Sequence, residues 1–412
     1  MRIKKSLQKP FSILRVFFAD SRSIGILLIA CTILSITFSN VSFFKLPYLN
    51  VWRYSVLAHP AFLSLPETNR MWINDLLMAA FFFLVGTEIK RELIKGELAS
   101  LKRSLLPILA AVGGMVVPAV IFSVFNSQTP FYHGWGIPMA TDIAFSLGVL
   151  SLLGKRVPIQ LKIFLAALAI IDDLGAVLTI AIFYSAKIKI YFLFGAAAAV
   201  GLVQLFNYLK VSKVGYYLVP AAILWYCLFN SGIHATIAGV LMAFTMPLFQ
   251  LSKLEKGLFF PVNFIIMPLF ALANTAIELP SAIGPVYTST ISLGVILGLV
   301  FGKPVGIFLF SVLASKSGIA SLPSNTNFKE LWGIGMIGGI GFTMSIFTST
   351  LSYQVSHLQM IAKVSIITAS VFAGLFGYLY LARLYGRKKG VGQLKAAFEQ
   401  DLGDYQERAA VA

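Results

Sequence analysis

The stretch Ala169-Ile170-Ile171-Asp172-Asp173-Leu174-Gly175 places two adjacent carboxylates in the middle of an apolar run that covers residues 163–183. A run of this length can cross a bilayer as a helix. One charged side chain at the centre of such a helix costs roughly 2.5–3.5 kcal/mol on insertion scales. Two neighbouring carboxylates therefore need a partner, a proton, a bound cation or water. The stretch indicates a cation and proton site.

The composition is typical of a polytopic membrane protein. Of the 412 residues, 58% are hydrophobic and 12% are charged, whereas soluble domains carry about 25% charged residues. The net charge of +17 is compatible with nucleic-acid binding, but the basic residues are spread over short loops. This pattern favours basic flanks of membrane spans over a nucleic-acid interface. Cys31 and Cys227 lie inside apolar runs and are expected to be small core residues.

The apolar runs predict an all-α protein with about twelve membrane spans of roughly 20 residues each. The expected spans are residues 24–40, 71–89, 105–125, 134–153, 161–184, 190–209, 215–230, 232–248, 258–277, 287–313, 331–351 and 359–383. With a cytoplasmic N-terminus, most basic residues outside the spans fall on the cytoplasmic side. The outer loops then hold only Lys45, Arg53, Arg70, Lys187 and Lys189. By the positive-inside rule, both termini are expected in the cytoplasm.

This topology divides the chain into a cytoplasmic N-terminus (1–23), a transmembrane domain (24–385) and a cytoplasmic tail (386–412). The tail is polar and mixed in charge, and either a short helix or a disordered segment fits it. The longest outer loop, residues 41–70, is rich in aromatic and β-branched residues. Both a β-hairpin and an interfacial helix remain open for this loop.

Two of the expected spans contain helix-weakening residues. Residues 134–145 read GWGIPMATDIAF and residues 333–345 read GIGMIGGIGFTMS. If spans 3–5 and 10–12 form inverted repeats, the two interruptions occupy corresponding positions, in spans 4 and 11. Broken, crossed helices at corresponding positions point to a midplane binding site in secondary transporters. Glycines used for close helix packing are the alternative.

The acid pair is suited to binding protons and hard cations in turn. On a helix, Asp172 and Asp173 point about 100° apart and can engage different partners. Burial and like-charge repulsion both favour the protonated form of a carboxylic acid, so protons compete with a cation for the same oxygens. Carboxylate, hydroxyl and carbonyl oxygens suit Na⁺ or Li⁺. A structural ion-pair network with the buried Lys303 is the alternative.

Other polar residues within the spans have candidate roles. Asp142 and Lys303 could balance the positive and negative ends of the broken helices, and Thr141 offers a hydroxyl ligand. Glu88 closes the second span and fits a cation funnel, a pH-sensitive cluster or a solvated helix end. His234 has a possible pH-tuning role beside the ordinary structural one. The four histidines show no zinc-ligand spacing.

At these residues the sequence closely resembles the NhaA family of bacterial sodium/proton antiporters, over about residues 24–383. The matching stretches are WIND (72–75), VGTEIKRE (85–92), ATDIAF (140–145), AIIDDLG (169–175), SGIHA (231–235), GKP (302–304) and GIGFTMS (339–345).

The resemblance implies electrogenic exchange of external H⁺ for internal Na⁺ or Li⁺ in a bacterial inner membrane, with a role in sodium and pH homeostasis. It implies that Asp172 and Asp173 bind the cation and that Lys303 pairs with Asp172. It also implies that Thr141, Asp142 and Lys303 serve the crossed helices, and that the protein is a homodimer in the lipid bilayer. Neither a cofactor nor an enzymatic activity is expected.

Two regions depart from the family pattern. The segment after the eighth span keeps Glu255 but lacks the histidines associated with pH regulation. Glu88, His234 and Glu255 are therefore the candidates for a pH response. The outer loop 41–70 has its own sequence, so a dimer mediated by a hairpin there is an expectation from the family alone.

Functions of other classes fit less well. An intramembrane aspartyl protease needs two aspartates that face each other from separate helices, and adjacent aspartates fit this requirement poorly. A channel, or a transporter that couples another solute to protons, is the nearer alternative. Conductance, or solute uptake without any effect of sodium, would distinguish these.

Overall fold

The computed structural model describes residues 21–54, 63–185, 188–211, 213–324 and 326–411. Every regular element within these ranges is a helix. The all-α prediction is therefore confirmed. Of the predicted cytoplasmic N-terminus, residues 1–20 lie outside the described residues.

The helices are numbered here in chain order. They are α1 (Ser21–Asn40), α2 (Ser42–Arg53), α3 (Asn69–Lys95), α4 (Leu101–Asn126), a 3₁₀ helix (Tyr132–Met139), α5 (Ile143–Leu152), α6 (Ile159–Phe183), α7 (Ile190–Tyr208), α8 (Gly215–Ser231), α9 (Ile237–Thr245), α10 (Leu248–Asn274), α11 (Gly284–Thr288), α12 (Thr290–Lys316), α13 (Phe328–Gly338), α14 (Phe342–Ser352) and α15 (Ser356–Val411). A π turn interrupts α3 at Ile73–Leu77, α10 at Val262–Ile266 and α12 at Gly298–Gly302.

In the part of the chain that the structure describes, nine helical segments are long and apolar enough to cross a membrane. The number is ten if α13 and α14, which meet at a 49° bend, form one span. The two remaining predicted spans coincide with α8, of 17 residues, and α9, of 9 residues. A polytopic membrane protein is confirmed, and the count of twelve spans stays a prediction.

Helix α6 carries the acid pair. One of its faces is on the outside of the bundle, and the other is buried inside it. The helix begins directly after Pro158, whose fixed φ suits the entry to a helix. Leu178 and Ile182 are exposed on the outside of the bundle, whereas Asp172 and Asp173 are buried inside it. Because a membrane helix satisfies its own backbone, only these side chains need partners from neighbouring helices.

Two glycines bring α4 and α12 into backbone contact. A Cβ atom on Gly306 would lie 2.1 Å from the carbonyl oxygen of Gly113, and a Cβ atom on Gly113 would lie 2.3 Å from that of Gly306. Only glycine permits this approach without displacing a backbone. The contact lies one turn beyond Lys303 on the same helix.

Two segments whose secondary structure the sequence does not decide are helical. The outer loop forms helix α2 at Ser42–Arg53, so the described part of this loop contains no β-hairpin. Its residues 55–62 lie outside the described residues. The last helix continues from Ser356 to Val411 and includes most of the predicted tail. The domain boundary at residue 386 stays a prediction.

Candidate functional site

The site is built where two interrupted helices meet. The 3₁₀ helix ends at Met139, and α5 begins only at Ile143. Helix α13 ends at Gly338, and α14 begins at Phe342. The two breaks are in direct contact, because the backbone N–H of Asp142 donates to the carbonyl oxygen of Ile340 at 2.7 Å.

The carboxylate of Asp142 caps two helix N-termini. It accepts a hydrogen bond from the backbone N–H of Phe145, at the start of α5, at 3.0 Å. It also accepts from the backbone N–H of Thr343, at the start of α14, at 3.2 Å, and from the Thr343 hydroxyl. A negative charge is favourable at helix N-termini, where backbone N–H groups lack intrahelical partners. The structure thus places the Asp142 carboxylate at the starts of α5 and α14.

Lys303 and Thr141 contact the opposite, negative helix ends. The Lys303 ammonium donates to the carbonyl oxygen of Met139, the last residue of the 3₁₀ helix. It lies 2.9 Å from Oδ2 of Asp172, and both side chains are fully buried. The Thr141 hydroxyl lies 2.7 Å from the same Asp172 oxygen and 2.9 Å from the carbonyl oxygen of Gly338, at the end of α13.

The two neighbouring aspartates differ in their partners. Asp172 Oδ2 is held by Lys303 and Thr141, whereas Asp172 Oδ1 is buried without a hydrogen-bond partner among the described residues. Asp173 Oδ1 is likewise buried and unpartnered in the described part of the chain. A buried, unpartnered carboxylate oxygen is costly unless a proton, a cation or water satisfies it. Both residues therefore offer an oxygen to a small ion.

A cavity of about 440 Å³ connects Asp173 to one end of the bundle. Its lining includes the buried residues Asp142, Asp173 and Thr343. Its lining also includes Arg91, whose side chain is 44% exposed at the surface. Asp173 therefore borders a cavity whose lining extends to an exposed residue at one face of the molecule.

Two of the three candidates for a pH response lie together at this end. Glu88 lines the cavity, and Arg91 forms an ion pair with Glu255 from α10. His234 is placed elsewhere, between α8 and α9. There its Nε2 donates to the carbonyl oxygen of Tyr184 at 3.0 Å.

Sequence reasoning missed the hydroxyl groups that join the two breaks. The Ser146 hydroxyl of α5 donates to the carbonyl oxygen of Ile337 at 3.2 Å, and the Ser345 hydroxyl of α14 donates to that of Ile137 at 2.7 Å. Each serine thus satisfies the end of the other interrupted span. The signal was present, because a glycine and a serine stand at the same spacing in both breaks, at 136 and 146 and at 335 and 345.

Comparisons with known proteins agree on one family. The family model described as Na⁺/H⁺ antiporter 1 matches residues 15–381. A Flavobacterium johnsoniae protein named Na(+)/H(+) antiporter NhaA 2 is 51% identical over 385 residues, which cover 90% of this chain and 93% of the relative. Proteins named Na(+)/H(+) antiporter NhaA from Cytophaga hutchinsonii and an Enterobacter species are each 45% identical. The alignment with the Cytophaga protein covers 89% of this chain and 94% of the relative. The alignment with the Enterobacter protein covers 90% of this chain and 97% of the relative.

Proposed function

Because the chain belongs to the Na⁺/H⁺ antiporter 1 family, we propose that Asp172 and Asp173 are the groups through which it exchanges Na⁺ for H⁺. The protein is a multi-pass membrane antiporter, and both Na⁺ and H⁺ are its substrates. The observation that carries the assignment of the site is the unpartnered, buried Oδ1 of Asp173, a residue that lines the cavity.

Competition at Asp173 accounts for exchange. In its ionised form, Asp173 offers Na⁺ a carboxylate oxygen, which is a preferred ligand of hard cations. Protonation removes the negative charge and one oxygen lone pair, so the cation leaves. A site that holds either ion, but not both, returns to the opposite face only in exchange for the other ion. Li⁺ has the same charge and ligand preference, and we include it among the transported ions.

In this proposal the second proton of an electrogenic cycle comes from Lys303, which is paired with Asp172. A cation that binds the free Oδ1 of Asp172 weakens the attraction between its Oδ2 and Lys303. The buried ammonium then loses its counter-ion and releases a proton. More protons than cations are moved in each cycle, so the exchange carries net charge.

The hydrogen-bond partners of Asp142, Lys303 and Thr141 support a role for these residues at the interrupted helices. Asp142 lies at two helix N-termini, and Lys303 and Thr141 lie at helix C-termini. We propose that α13–α14 and the broken fourth span cross here, and that these three residues neutralise the ends of the half-helices. Glu88 and Glu255 beside Arg91 are proposed to set the pH response at the cavity mouth, with His234 acting separately.

The charge distribution supports a proposal for the location of the protein. Basic residues concentrate in the loops on the Glu88 side, which is the expected cytoplasmic side. We propose that the protein lies in a bacterial inner membrane with both termini in the cytoplasm, and that it functions as a homodimer in the lipid bilayer. We assign no enzymatic role, since Asp172 is bound to Lys303 and Thr141 and does not face Asp173 across a substrate cleft.

The substitution Asp173→Asn tests the site. In everted vesicles, Na⁺-dependent proton movement is expected to fall at least about a hundredfold, because losing one charged ligand costs about 3 kcal/mol. The exposed Glu67 provides a control, since Glu67→Gln removes the same charge outside the bundle. Normal activity in an Asp173→Asn protein that inserts normally would contradict the assignment.

A further inference from the structure

A second cavity, of about 290 Å³, lies at the end of the bundle away from Glu88. It is bounded by α2, by the start of α3, by the segment after α10 and by the start of α15. Its charged and titratable lining residues are Arg53, Arg70, Glu278, His357 and Lys363. None of these residues belongs to the ion site or to the cavity beside Asp173.

Two of these cations have no counter-ion in the described part of the chain. Lys363 is 3% exposed, yet it makes no hydrogen bond or ion pair with a described residue. Arg70 likewise makes no ion pair there, and its Nε is buried without a partner. An isolated buried cation is strongly disfavoured unless it is paired. The cavity therefore has unsatisfied positive charge on two sides.

The nearby carboxylate does not supply this missing charge. Glu278 is bonded to Lys45 at 2.9 Å and to Arg53 at 3.2 Å. The hydrogen bond from Lys45 lowers the pKa of the Glu278 carboxyl group below its usual value. The adjoining residues 55–62 contain no aspartate or glutamate. An external anion can neutralise both Arg70 and Lys363.

We propose that this cavity binds an oxyanion of the phosphate class between Arg70 and Lys363. An arginine binds phosphate oxygens through two parallel N–H donors, and a lysine binds them as a point charge. A tetrahedral phosphate has enough acceptor oxygens for both cations at once. Bound there, it neutralises charge that the protein itself leaves unpaired.

The surface of helix α2 bears on the source of the phosphate group, which is either a lipid headgroup or the free anion. Helix α2 lines the cavity through Leu49 and Arg53. It also exposes Phe43 by 82% and Leu46 by 65% on its outer side. An apolar surface beside a phosphate site suits the headgroup of an anionic phospholipid, whose chains would lie along α2. Free inorganic phosphate has the same headgroup chemistry without the chains.

Thermal unfolding of the purified full-length protein in detergent tests the proposal. Inorganic phosphate, a short-chain phosphatidylglycerol and a phosphatidylcholine of equal chain length are titrated separately. We expect the melting temperature to rise with phosphate or phosphatidylglycerol and to change less with phosphatidylcholine, because a ligand that binds only the folded state stabilises it. A response to phosphatidylglycerol alone assigns a lipid, and an equal response to both anions assigns the free anion.

The variant Lys363→Met is expected to weaken this response by about tenfold or more, since it removes one charge-assisted hydrogen bond. It removes an unpaired buried cation, so the ligand-free protein should be at least as stable as the wild type. Lys189→Met, at an exposed lysine before α7, should keep the full response. If Lys363→Met does not fold, Arg70→Gln replaces it, and Lys363→Arg should retain binding. No stabilisation of the wild type by either anion, or an unchanged response in the folded variants, overturns the proposal.

Discussion

Asp172 and Asp173 are neighbours with the same side chain, but the surroundings of their carboxylates differ. Asp172 is bound on one oxygen by Lys303 and Thr141 and does not line the cavity. Asp173 lines the cavity and keeps an unpartnered oxygen. Because neighbouring side chains on a helix point about 100° apart, Asp173 can face the cavity while Asp172 reaches Lys303 on α12.

The charge moved per Na⁺ reports the role of Lys303. If its proton leaves when Na⁺ engages Asp172, Lys303→Gln should lower the net charge moved per Na⁺. Transport currents of reconstituted protein, compared with Na⁺ flux at the same driving force, measure this ratio. Lys316→Gln on the same helix removes an exposed charge and should leave the ratio at the wild-type value. An unchanged ratio in active Lys303→Gln protein would exclude Lys303 as a proton carrier.

The ion pair between Lys303 and Asp172 is also expected to affect stability. Lys303→Met leaves Asp172 buried beside one hydroxyl donor, and breaking a buried ion pair from one side costs about 3–5 kcal/mol. Asp172→Asn combined with Lys303→Met removes both charges and should recover most of this loss. Thermal unfolding of the two variants in detergent makes the comparison. A double variant no more stable than Lys303→Met would show that the pair contributes little through its charges.

At the scale of elements, the two interrupted helices complete each other's backbone hydrogen bonding. Asp142 supplies acceptors to the starts of α5 and α14, while Ser146 and Ser345 supply donors to the ends of α13 and of the 3₁₀ helix. Irregular backbone within a membrane is tolerated only when its polar groups find such partners. Each break therefore depends on the presence of the other.

The substitution Thr343→Val tests whether each break depends on its contact with the other. It removes a hydroxyl donor from the buried Asp142 carboxylate, and we expect a loss of about 1–3 kcal/mol in unfolding free energy. Thr348→Val is the matched control on the same helix. Thr348 is equally buried but donates only to the carbonyl oxygen of Met344 in its own helix, so the loss should be smaller. Equal destabilisation by both variants would mean that the contact between the breaks contributes no more than a local bond.

The sequence revealed the breaks because glycines, a proline and Asp142 interrupt otherwise apolar runs. It revealed Lys303 because a basic residue inside a span needs a partner. It did not reveal Thr343, Ser146 or Ser345, since hydroxyls in helices usually bond to their own backbone and their cross-pairing depends on tertiary contact. The local composition of residues 42–53 also left hairpin and helix open, and the structure forms α2 there.

At the scale of the whole molecule, the two ends of the bundle have cavities of opposite charge. Asp142 and Asp173, with Glu88 nearer the surface, line one cavity, whereas Arg70 and Lys363 line the other. Acidic groups along a low-dielectric cavity attract cations toward the site. The first cavity thus suits the proposed entry of a cation, and the second suits the anion proposed to bind there.

Access to the ion site should depend on the face from which it is approached. Ile170 lines the first cavity beside the acid pair, so Ile170→Cys should react with a membrane-impermeant thiol reagent that enters past Arg91. With Cys31 and Cys227 replaced by alanine, labelling should be faster in everted vesicles than in right-side-out vesicles. Lys189→Cys, on the predicted outer side, should show the reverse preference. Faster labelling of Ile170→Cys from the Lys189 side would reverse the proposed orientation, because the described cavity opens beside Glu88.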